Sequence, residues 1–156
     1  MDRRGRARYV WIMPVNIIKT AAGLQEIDQL IARQLPHKFK YNGNHATWAY
    51  TRYAPKRADE ILQSGGSIYW ILKNRIQVRQ KILGFEMVEE DNDTWCKIVV
   101  EPRLYRTIST PKKAIQGWRY LEGKSVPADR GIYASGAEEG EPPAEMAEEL
   151  RKLGLL

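Results

Sequence analysis

The chain has 156 residues, enough for one domain, and at 43% hydrophobic and 28% charged its composition suits a buried core and excludes general disorder. It has no apolar run of about 18 residues, which excludes a membrane-spanning helix, and its one cysteine, Cys96, excludes an internal disulfide and points to a reduced, cytoplasmic setting. The formal net charge is +6, unevenly spread: residues 137–156 hold six acids and two bases, which leaves +10 on residues 1–136.

Residues 1–12 read as a disordered basic leader, ahead of a domain that starts near Met13. Basic residues before the apolar Tyr9 to Ile18 faintly resemble a signal peptide, but Pro14, Asn16 and Lys19 interrupt that pattern. Val15 to Thr20 has the composition of a first strand, and Gly23 breaks it. Leu24, Ile27, Ile31 and Leu35 then recur at helical spacing, with Glu26 and Asp28 in the dipole-favoured first turn and Pro36 as the stop. Pro36 to Asn44 reads as a loop with Asn42-Gly43 at its tip. Ala46 to Tyr53 is β-branched and aromatic, as strands are. Pro55 opens a short helix with Ala54, Ala58, Ile61 and Leu62 on its buried side, and Gly65-Gly66 closes it.

Ser67 to Lys73 is almost wholly apolar, the mark of a central strand covered on both faces. Lys73-Asn74-Arg75 turns the chain back into a half-buried strand, where Ile76, Val78, Gln80 and Ile82 alternate with polar residues. A bulge is expected at Gly84, and Asp91-Asn92-Asp93 forms the next turn. Further strands are expected at Trp95–Val100, Leu104–Ile108 and Ile115–Leu121, separated in the last case by a loop over Ser109–Lys113. Residues 123–142 read as a linker rich in Gly, Pro and acids, and residues 143–156 as a C-terminal helix with Met146, Leu150 and Leu153 as its stripe. The domain proper is therefore expected over residues 13–122. The order predicts an α+β fold: a small, partly closed β-barrel that hides its edges, with two helices packed on it and the C-terminal helix tethered behind.

No phosphate-binding glycine loop is present, and the two histidines, His37 and His45, lack partners at metal spacing. No metal, cofactor or catalytic set is expected, and Cys96 reads as a small core residue. Glu89 to Asp93 lacks the glycine and closing glutamate of a calcium loop, so it reads as a charged hairpin tip. A basic body suggests a polyanion, nucleic acid before a membrane surface. Thirteen basic residues lie between Arg52 and Arg119, interleaved with Tyr53, Tyr69, Trp70, Trp95, Tyr105, Trp118 and Tyr120. Cations for phosphate and flat rings for stacking are what a single-strand or RNA-binding surface needs. Arg52, Lys73, Arg75, Arg79 and Arg119 are the candidate phosphate contacts, and Trp118 the candidate base-stacking ring. Arg79 and Arg119 are expected on one face of a curled sheet, unless one of them is buried against Glu86 or Glu101.

Thr51-Arg-Tyr-Ala-Pro-Lys-Arg-Ala-Asp-Glu-Ile-Leu, Gly66-Ser-Ile-Tyr-Trp-Ile-Leu-Lys, Ile76-Gln-Val-Arg-Gln-Lys-Ile-Leu-Gly and Gln116-Gly-Trp-Arg-Tyr-Leu resemble a bacterial family, the domain of unknown function 1489, over about Met13 to Leu156. A second resemblance concerns the fold. A strand, then Pro55, Ala58 and Ile61 on a helix that ends at Gly65 or Gly66, then an arginine-bearing strand, is similar to the start of ASCH and other PUA-like domains. That resemblance implies a small barrel that binds RNA or modified bases. The Lys-Thr-x-Glu set of ASCH amidohydrolases is absent; Ser67-Ile-Tyr-Trp-Ile stands there instead, so their chemistry is not implied. The leading expectation is a cytoplasmic, non-catalytic RNA or modified-nucleotide binding domain, with RNA favoured over DNA, no membrane and an open question of oligomeric state. The rivals are an enzyme on nucleic acid or nucleotides, drawing on Asp59, Glu60, Glu86 or Glu101, and a protein-interaction module using the acidic C-terminal helix.

Overall fold

A computed structural model describes residues 13–134. The expected leader over 1–12 and C-terminal helix over 143–156 lie outside the described residues. Nine strands and two helices follow in the order β1 (Asn16–Thr20), α1 (Ile27–Gln34), β2 (Phe39–Tyr41), β3 (Asn44–Thr51), α2 (Ala58–Gln63), β4 (Ser67–Leu72), β5 (Arg75–Glu90), β6 (Asp93–Val100), β7 (Tyr105–Pro111), β8 (Trp118–Leu121) and β9 (Asp129–Ile132). The fold is α+β and mostly strand.

The expected partly closed barrel does not form. The strands run β2-β3-β6-β5-β4-β1-β8 in one open sheet, with β7 paired to β5 and β9 paired to β7. Among the described residues no pairing joins β2 to β8 or β9, so the sheet is open. The organiser is β5, 16 residues long. Its first half lies between β4 and β7, and its second half pairs with β6. The register slips between Ile82 and Gly84, where a bulge was expected. A Cβ on Gly84 would lie 2.2 Å from the Tyr41 hydroxyl, so a larger residue there would have to displace that side chain.

Residues 123–134, read from sequence as linker, contain a 3-10 turn at Gly123–Ser125 and then β9. Residues 36–44, read as a loop, contain β2, paired with β3 across the Asn42-Gly43 tip. Both strands are short, at four and three residues, too brief for a period-2 pattern to register.

β4 is buried at all six positions, as its continuous apolar sequence requires. It is parallel to β1 and antiparallel to β5. One face of this sheet carries Ile17, Ile68, Trp70, Val78 and Ile82, packed with Leu30 of α1, Ile61 of α2 and Ile98 of β6. The opposite face carries Ile18, Tyr69, Ile71, Ile76 and Leu121, covered by Ile115 and Val126. α1 begins where the Gln29 side-chain oxygen accepts the backbone N–H groups of Gln25 and Glu26. α2 ends at Gly65, which has φ +74, and at Gly66, where a Cβ would stand 1.9 Å from the Val15 carbonyl oxygen. That close approach seats α2 against β1. Of its expected buried side, Ile61 is fully buried, whereas Leu62 is exposed.

Candidate functional site

Opposite residues of neighbouring strands share a sheet face. The registers place Arg119, Ile18, Tyr69, Arg79 and Tyr105 in one row across β8, β1, β4, β5 and β7. Arg79 and Arg119 therefore do share a face, three strand spacings or about 14 Å apart. Trp118 precedes Arg119 and so points to the other side of β8. Lys73 and Arg75 flank the β4–β5 turn, in which Lys73 and Asn74 both have positive φ. Arg52 follows β3 and belongs to neither group.

Each of these cations already has a partner. Arg79 grips Asp129 of β9 through two nitrogens, at 2.9 and 2.7 Å. Its third nitrogen donates to the Ser67 hydroxyl at 2.9 Å, and its guanidinium lies 4.3 Å from the centre of the Tyr105 ring. The Asp129 hydrogen bonds hold its pKa above the usual arginine value. Neither Glu86 nor Glu101 is its partner. Arg52 pairs with Asp93 at 2.9 Å, and Lys73 pairs with Glu26. Arg75 donates to the Ser109 hydroxyl and carbonyl. Arg119 donates to the carbonyls of Gln116 and Trp118 at 3.0 and 2.9 Å. Trp118 donates its indole N–H to the Tyr53 carbonyl at 2.8 Å and meets Tyr120 edge-on.

A different set of residues gathers on the far side of β1. Trp118, Lys19 and Trp70 form a row on the face opposite Arg79. Lys19 is half-buried, and among the described residues its ammonium has no hydrogen bond and no ion pair. Burial alone pushes its pKa below the usual lysine value. It lines a crevice of about 230 Å³ between the end of β1, α1 and the edge of β3. Arg33, His37, Trp48, Tyr50 and Trp70 line it too, and no acid does.

The crevice floor is rigid for an identifiable reason. The Trp70 indole N–H donates to the Gln80 side-chain oxygen at 2.9 Å. Gln80, fully buried, donates in turn to the Gln34 side-chain oxygen at 2.7 Å and to the Glu101 carbonyl at 3.0 Å. Thr47 donates to the Gln34 carbonyl at 2.7 Å, tying β3 to α1. Such a network, once satisfied, is costly to disturb.

Beside the crevice lies an aromatic sheet face. Alternation along β3 buries Thr47 and Thr51 on one side and leaves Trp48 and Tyr50 on the other. Tyr50 lies opposite Lys97 of β6, and Trp48 lies opposite Val99. The His37 ring is 4.0 Å from Trp48, Trp95 lies 5.4 Å from Trp48 and 5.2 Å from Tyr50, and the Lys97 ammonium lies 5.0 Å from the Trp48 ring. Tyr50 is half exposed, so its ring is open to a ligand. The sequence reading missed Lys19, His37, Trp48 and Tyr50 as site residues. The signal was present: small and hydroxyl residues alternate with rings over Thr47 to Thr51, and Lys19 falls in the register of the core residue Ile17.

The groups considered for catalysis are placed elsewhere. Burial pushes the Cys96 thiol up to about 11, so it is no nucleophile at neutral pH. Glu60 is held by Arg57 at 2.6 Å, and the Arg57 guanidinium also pairs with Glu122. Among the described residues no three His, Cys, Asp or Glu side chains group as a metal site, and no helix is long and apolar enough to cross a membrane. No curated protein and no solved structure matches the chain. A family model does match, over residues 17–156, in agreement with the segments around Thr51, Gly66, Ile76 and Gln116. The chain therefore belongs to the family described as protein of unknown function (DUF1489).

Proposed function

We propose that this protein is a non-catalytic binding domain for single-stranded RNA or a modified nucleotide, working in a reduced, cytoplasmic setting. One observation carries the reading: a half-exposed sheet face that sets Tyr50, Trp48 and Trp95 beside Lys97, adjoining a crevice with cations and no acids. Rings on a sheet stack on bases irrespective of sequence, and nearby cations meet the backbone. The net +10 over residues 1–136 would draw a polyanion to that face. The six residues singled out from sequence remain secondary contacts in this reading, since each already has a partner within the fold.

Filter binding of a single-stranded RNA oligonucleotide at two salt concentrations tests the proposal. Binding should be measurable at low salt and fall steeply as salt rises, because phosphate contacts release counterions. Absence of binding at low salt overturns it.

A further inference from the structure

We infer that the crevice between β1, α1 and β3 is a site for one nucleoside monophosphate unit, with Lys19 on the phosphate and the open ring of Tyr50 under the base. The inference rests on the nucleic-acid reading and sharpens it to a single residue of the ligand. The same chemistry is offered by a free mononucleotide and by the phosphorylated end of a strand.

The first argument is electrostatic. An ammonium taken partly out of water without a partner costs stability, and folded chains normally avoid that. The other half-buried cations follow the rule: Arg57 and Arg79 each meet a carboxylate, and Lys97 lies over the Trp48 ring. Lys19 does not, and the crevice it lines carries two further basic side chains, Arg33 and His37, against no acid. Arg33 spends one nitrogen on the Ala22 carbonyl at 2.7 Å, which fixes its position while leaving other N–H groups of the guanidinium for a ligand. The group that completes such a site is an anion with several acceptor oxygens, as a phosphate is.

The second argument is shape. About 230 Å³ is below the usual range for drug-sized ligands, so the crevice takes no more than a single nucleotide unit. Aromatic side chains also line the crevice. His37 already covers Trp48, so Trp48 acts as a fixed wall, and Tyr50, although Trp95 lies 5.2 Å away, is the more exposed ring. Trp70 closes the floor with its N–H already committed to Gln80, so the floor faces the ligand as apolar surface. A planar base against the rings and a phosphate against Lys19 and Arg33 is one arrangement that uses the aromatic and cationic groups lining the space.

Calorimetric titration of the full chain separates the possibilities. The probes are AMP, adenosine, and a ten-nucleotide RNA with either a 5′-phosphate or a 5′-hydroxyl. AMP should bind at least tenfold more tightly than adenosine if the site takes free nucleotides. The 5′-phosphorylated strand should show the tenfold preference over its hydroxyl form if the site takes strand ends. Whichever preference appears should vanish in Lys19→Met and survive in Lys19→Arg, with melting curves showing that both variants fold. Wild-type protein that prefers neither phosphorylated probe overturns the inference, as does a preference that Lys19→Met leaves intact. Strand binding without any phosphate preference overturns this inference alone. AMP binding without strand binding overturns the strand reading alone. Failure of every probe overturns both.

Discussion

Two faces of the same β1 strand teach how differently a cation can be used. On one side the row through Ile18 holds Arg79 and Arg119, both engaged: one by Asp129 and Ser67, the other by backbone carbonyls. On the other side the row through Lys19 lies between two tryptophans, and the ammonium has no hydrogen-bond or ion-pair partner among the described residues. Counting basic residues along the chain gives both faces equal weight. What separates them is where the carboxylates fall, and that is decided by β9 folding back onto β7 to deliver Asp129. A charge already paired contributes to the fold, whereas an unpaired, half-buried charge is free to recognise a ligand.

The comparison can be broken most severely at the crevice floor. Gln80→Ala should destabilise the domain by about 3 kcal/mol, because it strands the Trp70 N–H and the Gln34 amide and leaves a cavity. Urea unfolding measures it, and a loss under about 1 kcal/mol would show that the network is dispensable. Arg79→Ala should cost about 1 kcal/mol, since the pair it breaks is bidentate but its Asp129 end is 41% exposed. The melting temperature should fall while RNA affinity stays within about twofold, in keeping with a fold-forming role.

Lys19→Met should act in the opposite direction, stabilising the ligand-free protein by about 0.5–1 kcal/mol through removal of an unpaired ammonium. A pH series sharpens this. Burial lowers the Lys19 pKa in the folded chain below its ordinary 10.5, so the folded state is penalised while the amine is protonated. Wild-type stability should gain a contribution as pH climbs through the folded pKa toward 10.5, and Lys19→Met should lack that gain. Equal alkaline profiles for the two proteins would remove the desolvated lysine from the account. The smallest effect belongs to Arg119→Ala, expected within about 0.5 kcal/mol because its contacts are local and exposed.

The elements with strong periodicity were legible in the sequence. The continuous apolar run of β4, the alternation of β5 and the tight turn at Lys73-Asn74 all took their expected places. So did the bulge at Gly84, although the closeness of the Tyr41 hydroxyl to that glycine is a contact that sequence spacing does not carry. The barrel expectation failed because pattern gives strands, not the pairing of first with last; β8 joins β1, and β2 stops at β3. β9 was hidden in a segment rich in Gly and Pro, since an edge strand of four exposed residues needs no apolar face. The six sequence-chosen site residues were found by type and not by company. Trp48 and Tyr50 could have been seen from the small residues alternating with them. The partnerless state of Lys19 could not, because it depends on no acid approaching from α1, β3 or β8.

The central claim is that a nucleic-acid ligand meets the aromatic side of the molecule and not the Arg79 side. The most direct test compares single-stranded RNA affinity of Tyr50→Ala and Arg79→Ala with wild type in one low-salt buffer. Tyr50 is exposed, so its loss should leave folding intact and weaken binding by about 1–3 kcal/mol, the worth of one base–ring stack. Arg79→Ala should bind as wild type does. Undiminished binding by Tyr50→Ala together with a loss in Arg79→Ala would contradict the account and place the ligand on the opposite face.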